Sequence, residues 1–448
     1  MLDDKEIEIG RKAIDFALGI GASDVRITLS KSVTDVFGML DGRLDKVTHS
    51  LDLSLSLALF VDGRYGTFST NRVDPGSLPA FVREAVDMVR MLEKDPFRAL
   101  PERERTASDA VSGNELGLCD GAYFRRTSRD RKALAAASTF HASRKRLEKG
   151  FRILSEEGEY SESLFDSVVM DSRGLFARHS ETSFEIGYEV TVEDPSGERI
   201  SGYWWDSSPT LEGIAPSVES CSRKALRRAA EQIGPGKFSG GRMNMVVDSE
   251  CASTFLRPVL SALGGYSIQQ KNSFLEGKIG ERVFSESLNV VDEPRTPGAT
   301  GSRLFDSEGV ATRPRPIIEN GVVKTYFINT YIAAKTGLEP TVEDAVRVRL
   351  CPFGDCRTRE DLLEKAGSGI LVTGINGGNS NSATGDFSYG IEGFLFRDGK
   401  VVHPVREMLV TGNFMDLWSH LAATADDARP CMTKRIPSLA FSDVDLRG

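Results

Sequence analysis

Four short turns constrain this chain more than any other feature of its 448 residues. Asp41-Gly42, Asp62-Gly63, Asn320-Gly321 and Asp398-Gly399 each stand between two apolar or alternating runs. Asp-Gly or Asn-Gly in that setting reads as a two-residue hairpin, because both central positions need positive φ. A hairpin joins antiparallel neighbours, so antiparallel sheet is predicted in both halves of the chain. The paired runs are Val36–Leu40 with Leu44–Val47, Leu53–Val61 with Tyr65–Ser69, Ile317–Ile318 with Val322–Ile328, and Tyr389–Phe396 with Lys400–Val405. The turns are alike in type and are not part of a sequence repeat.

Period-2 alternation adds strands at Val25–Leu29, Tyr160–Met170, Leu175–Glu193, Ile200–Trp205, Met243–Val247 and Gly369–Val372. Helical spacing marks Asp4–Gly19, Leu78–Leu92, Asp130–Leu147, Ser217–Ile233 and Glu360–Ala366. The third of these is basic on one side, which reads as a solvated face. A further helix is predicted after Ser249 as cap, carrying Phe255, Leu256, Val259 and Leu260 and interrupted by Pro258. The fold class is α+β, antiparallel sheets with flanking helices. Polar Pro101–Asn114 and Gly234-Pro235-Gly236 suggest boundaries. They give an N-terminal helix–sheet–helix part (1–110), a central α+β part (111–235) and a β-rich C-terminal part (236–448).

A net charge of −9 without a long basic run speaks against a nucleic-acid surface. No apolar stretch approaches a membrane span, and MLDDKEIEIG lacks the layout of a signal peptide. Six scattered cysteines make no disulfide framework. A cytoplasmic protein without membrane or nucleic-acid partners is the expectation.

The most suggestive stretch is Thr373–Trp418. It opens on a Gly/Asn/Ser-rich segment, Asn376–Gly385, read as a loop able to face a ligand or plain solvent, and continues into the Asp398-Gly399 hairpin. Outside it, chemistry is sparse. The five histidines (His49, His141, His179, His403, His420) form no pair at metal-binding spacing. Cys351 and Cys356 lack a second ligand pair, and no nucleophile elbow, phosphate loop or dinucleotide fingerprint occurs. Asp306, Glu308 and Asp386 read as caps and turn formers. Trp204-Trp205 read as core packing before a peptide groove.

Longer motifs carry a resemblance. Gly301–Gly337 (GSRLFDSEGVATRPRPIIENGVVKTYFINTYIAAKTG), TGDFSYGIEGFLFRDGKVVHPV, TGNFMDLW, FLEGKIGERV, LDGRLDKV and FVDGRYGTFST resemble the TldD/PmbA family, known as modulators of DNA gyrase and as peptidase subunits. The resemblance spans nearly the whole chain. It implies a two- to three-part architecture and a protease shell that admits unfolded or small peptides.

TldD-type members carry an HExxxH zinc motif with a later cysteine ligand, whereas PmbA-type (TldE) members lack the histidines. Here the motif positions fall on Leu256, Arg257 and Ser261, and the cysteine on Cys431. Leucine offers zinc no lone pair, and arginine is not deprotonated to act as base. The resemblance therefore implies a PmbA-type subunit with no catalytic residue or cofactor of its own, zinc residing in a TldD-type partner. The chain would pair with that partner, or with itself. Substrate would be held as an added strand by Gly377, Gly378, Asn379, Gly385, Asp386, Phe387 and Ser388. The alternatives are a metal-free hydrolase using Asp386 and Ser388, and a binding regulator of gyrase or a toxin–antitoxin pair.

Overall fold

The computed structural model describes residues 1–139 and 151–448. The predicted basic helix is seen from Ser128 to Thr139; its remainder, with His141, lies outside the described residues. The chain forms two compact units. One comprises Met1–Ala229, Arg295–Thr312 and Asn329–Val342, the other Ala230–Pro294, Arg313–Ile328 and Glu343–Gly448.

The first unit is built on β1 (Asp24–Leu40), β2 (Arg43–Val61), β3 (Arg64–Thr70), β4 (Arg152–Asp171), β5 (Phe176–Glu193) and β6 (Arg199–Ser208). They form a six-stranded antiparallel sheet in the order β3-β2-β1-β4-β5-β6. Runs that the sequence separates, Val25–Leu29 from Val36–Leu40 and Leu44–Val47 from Leu53–Val61, merge into the single strands β1 and β2. Alternation fades over Ser30–Asp35 and Thr48–Asp52, but β1 is hydrogen-bonded on both sides, by β2 and β4. A satisfied backbone holds a strand through a polar stretch that side-chain pattern alone would end. The β1–β4 pairing also means that the segments before and after residue 110 share one sheet.

One face of this sheet is covered. Ile7, Ile14, Val82 and Val86, from helices Asp4–Gly19 and Leu78–Arg90, pack on Ile27, Leu29, Leu57 and Leu59. Further along, helix Ser217–Glu231 lies so close that a Cβ on Gly202 would meet the Ala225 carbonyl oxygen at 2.2 Å. On this face Asp166, with no side-chain exposure, accepts hydrogen bonds from Arg178 (3.0 and 2.7 Å), Ser180 and the Leu2 amide. Burial pushes its carboxyl upward, but these donors outweigh that and hold it below the usual aspartate range.

The second unit contains β7 (Gly241–Val247), β8 (Val290–Asp292), β9 (Arg315–Glu319), β10 (Val322–Val323), β11 (Val348–Leu350), β12 (Gly369–Ser380), β13 (Asp386–Arg397), β14 (Lys400–Asn413), β15 (Leu421–Thr424), β16 (Lys434–Arg435) and β17 (Leu439–Arg447). A small sheet runs β10-β9-β8-β11-β16, and a larger one β14-β13-β12-β7-β17-β15. Because β14 also pairs with β17, the larger sheet closes on itself through β14, β13, β12, β7 and β17. Pairing is antiparallel except at β7–β12 and β11–β16.

All four predicted turns form. Asp41, Asp62, Asn320 and Asp398 have φ between 47° and 51°, and each following glycine is near 74°. The strand expected at Val322–Ile328 stops at Val323, because the chain then leaves the hairpin: the Gly265 amide donates to Phe327 O and the Phe327 amide to Leu263 O.

Helix Ser249–Ala262 is capped by Asp248, whose carboxylate accepts from the Glu250 amide, and not by Ser249. Nor does Pro258 interrupt it. Buried Phe255, Leu256, Val259 and Leu260 on either side anchor the helix through the missing donor.

Candidate functional site

Thr373–Trp418 is a pair of hairpins more than a loop on a hairpin. Gly377, Gly378 and Asn379 belong to β12, opposite Gly390, Tyr389 and Ser388 of β13. Only Asn381–Gly385 turns between the strands. The loop reading fails because glycine here serves close approach as well as turning. A Cβ on Gly378 would sit 2.2 Å from the Ser388 carbonyl oxygen, and the β12 register shifts between Ile375 and Gly377.

The turn itself is braced by residues that the sequence did not single out. Asn413 Nδ2 donates to Thr384 O (2.8 Å) and to Asp386 Oδ1 (2.9 Å), while its Oδ1 accepts from the Met415 amide. Thr384 Oγ1 donates to Asp386 Oδ2 (2.7 Å). These two donors lower the Asp386 carboxyl below its ordinary range, Asn413 contributing most. The available signal was Asn413 immediately before an apolar helical turn, Phe414–Ser419. Gly385 takes φ of 82°, and the Phe274 ring lies 3.1 Å from where its Cβ would be.

Phe387 does not reach outward. It is 5 % exposed and stacked on Phe414 at 4.6 Å, with Tyr389 at 5.4 Å and Phe255 edge-on at 6.3 Å. What this region presents is main chain. β7 pairs with β12 only over Gly369–Val372, so from Gly374 to Ser380 β12 pairs with β13 alone. Asn376–Ser380 is exposed along that open edge. No charged residue lies between Thr373 and Ala383, so the edge has none of the charges that usually discourage a further strand from adding.

Helix Ser249–Ala262 places the three motif positions apart. Leu256 is fully buried, while Arg257 and Ser261 are exposed. An ordinary α-helix turns about 140° over five residues beyond a full turn, consistent with that split. The donor set does not fit zinc: a buried aliphatic chain, a guanidinium and a hydroxyl supply no ligand pair. Cys431 is buried. Among the described residues, no group of three or more His, Cys, Asp or Glu side chains is placed to hold a metal.

The remaining candidates are structural. His403 Nδ1 lies 3.1 Å from Pro404 O, with its ring against Gly236. Asp306 braces its own turn by accepting from the Glu308 and Val310 amides. Glu308 caps helix Thr330–Thr336 at the Thr330 amide.

The chain matches the PmbA/TldA metallopeptidase models along its length: domain 1 at residues 25–89, the central domain at 125–233 and the C-terminal domain at 240–448. It belongs to the PmbA/TldD family. It is 25 % identical to "Metalloprotease PmbA" of Escherichia coli O157:H7, over 99 % of this chain and 98 % of that one. A crystal structure from Bacteroides thetaiotaomicron, of a protein described as a candidate modulator of DNA gyrase, is 37 % identical over the whole of both chains with a TM-score of 0.94. TldE from Thermococcus kodakarensis has the same fold, at 20 % identity and a TM-score of 0.81, over 98 % of this chain and all of that one. The predicted α+β class and family resemblance are thus both met.

Proposed function

We propose that this chain is the zinc-free, PmbA-type subunit of a peptidase pair, holding an unfolded or small peptide while a TldD-type partner carrying HExxxH cuts it. The observation carrying the reading is a contrast within the second unit: a helix that cannot ligate zinc, next in the same fold to a strand edge open for pairing. Leu256, Arg257 and Ser261 remove the metal chemistry, while the exposed backbone of Asn376–Ser380 offers amides and carbonyls to a guest strand.

Main-chain recognition tolerates sequence, which suits a subunit handling varied peptides. Asp386 and Asn413 hold the turn at the end of this edge, Phe387 anchors β13 from the core side, and Ser388 pairs with Asn379 across the hairpin. The subunit would work in the cytoplasm, as a heterodimer with its partner.

The purified chain is expected to hold less than about 0.1 zinc per molecule after dialysis, since one buried thiol does not make a three-ligand site. It is expected to cleave no unstructured peptide alone and to show chelator-sensitive cleavage once a TldD-type subunit is added. Close to one tightly held zinc per chain, or cleavage by the single chain in chelator, overturns the reading.

A further inference from the structure

The first unit carries a second surface that the hairpin edge does not account for. Helices cover one face of its sheet. The opposite face is covered at Val169 and Ala177 by Ala107, Leu116 and Phe305, but further along it opens into a groove of about 400 Å3. Its floor runs through Gly38, Glu159, Gly187 and Trp205, successive neighbours across β1, β4, β5 and β6. Tyr203 and Trp205 stand along one side. Tyr203 is 52 % exposed, its hydroxyl 3.1 Å from where a Gly187 Cβ would be. Trp204, one residue between them, points the other way and lies under Lys224 and Arg228 of the covering helix. The two indoles therefore face opposite sides of one strand.

The charge in the groove is mostly negative. Glu157, Glu159, Glu185 and Glu189 line it, and among the described residues none of the four makes an ion pair; Glu185 accepts from Ser183. Glu157 and Glu189 are directly opposite in the β4–β5 register. Like charges facing across strands oppose folding, and among the described residues no cation is ion-paired with either carboxylate. Lys46, opposite Gly38 in the β1–β2 register, is the one cation among the lining residues, and Asp45 precedes it. The Tyr203 phenol is held above its ordinary range, first by burial and then by surrounding negative charge that includes Glu159, Glu185 and Glu189.

We infer that this groove docks an extended peptide segment bearing lysine or arginine. The cation would lie against the Tyr203 and Trp205 rings, with the Glu157–Glu189 pair as its counter-charge. Aromatic faces attract ammonium and guanidinium groups, and the four carboxylates supply the complementary field. The inference rests on the peptide-holding role and narrows it to a substrate class, basic unfolded peptides.

The test measures binding to the intact chain without any partner, so that it does not depend on cleavage. An unstructured octapeptide with three lysines is titrated in low salt, followed by tryptophan fluorescence, against the same peptide with glutamines in their place. The lysine peptide is expected to bind roughly tenfold tighter, and the preference to shrink as salt is raised. In Glu157→Gln/Glu189→Gln the preference is expected to fall to less than about threefold while the melting temperature stays level or rises, because a facing repulsion has gone. Equal binding of the two peptides, or an undiminished preference in the double variant, overturns the groove. The separate reading of the chain as a zinc-free subunit then stands or falls on zinc content and partner-dependent cleavage of the glutamine peptide.

Discussion

The two six-stranded sheets handle their exposed surfaces in opposite ways. The first is open at both ends and relies on length: β1, β2 and β4 run on through polar stretches, bonded to their neighbours, and a covering of helices buries one face. The part of the other face left open displays charges and rings, so what it offers a ligand is side chains. The second is closed through the β14–β17 pairing, its hairpins pressed together by glycines and an aromatic stack. What it leaves open is a short length of backbone at Asn376–Ser380. The same antiparallel hydrogen bonding thus yields one surface read through side chains and another read through main chain. Substitutions should sort accordingly.

Close approach provides the sharpest separation. A Cβ on Gly393 would sit 1.8 Å from the Leu371 carbonyl oxygen, a backbone atom in the adjacent strand that cannot swing away. On Gly187 in the first sheet, the nearest atom would be the Tyr203 hydroxyl at 3.1 Å, the end of a half-exposed side chain. Gly393→Ala is expected to cost about 3 kcal/mol or more. Gly187→Ala should stay within about 1 kcal/mol of the parent protein. Urea unfolding of both variants decides it, and equal losses would mean the two sheets are packed alike.

The aromatic residues give the next contrast. Phe387→Ala removes a ring from the stack with Phe414, Tyr389 and Phe255 and should cost about 3–5 kcal/mol. Tyr203→Ala, on the open face, should cost less than about 1 kcal/mol. Thermal melts of the two proteins would break the comparison if Tyr203→Ala proved the more damaging.

These contrasts also show where the sequence could and could not be read. Hairpins were legible because Asp-Gly and Asn-Gly specify their own backbone, and Asp4–Gly19 and Leu78–Arg90 because an apolar stripe of period 3.6 has few other uses. Strand continuity was not. The polar centres of β1 and β2 are held by neighbours distant in the chain, and β4 is more than a hundred residues beyond β1. The pairing of Gly377–Ser380 with β13 is not legible, and Asn376–Gly385 reads as a loop, since Gly and Asn in a row signal a loop unless the partner strand is known. Phe387 is the bulky side chain of a polar segment, and only the positions of Phe255 and Phe414 show it buried. Pro258 illustrates the converse: a strong local signal overridden by the core packed around it.

The smallest expected effect concerns Asp386, and its pH dependence separates a turn brace from a buried charge. Its carboxyl is lowered by Asn413 and Thr384, so the folded protein binds that proton less readily than the unfolded chain. Such a group contributes stability above the ordinary aspartate value of about 4, and the contribution is lost as pH falls through the lower folded value. Asp166 in the first sheet shifts in the same direction, but from a site with no side-chain exposure, where loss of the charge also strands Arg178. Asp386 is solvated and strands nothing charged. Asp386→Ala should therefore melt only slightly below the parent at pH 7, and the gap should narrow as pH falls below about 4. Melting curves of both proteins over that range supply the comparison. A gap that stays constant to pH 3 would show that the carboxylate's charge does not hold the turn, leaving Asn413 and the Phe274–Gly385 contact to fix the end of the open edge.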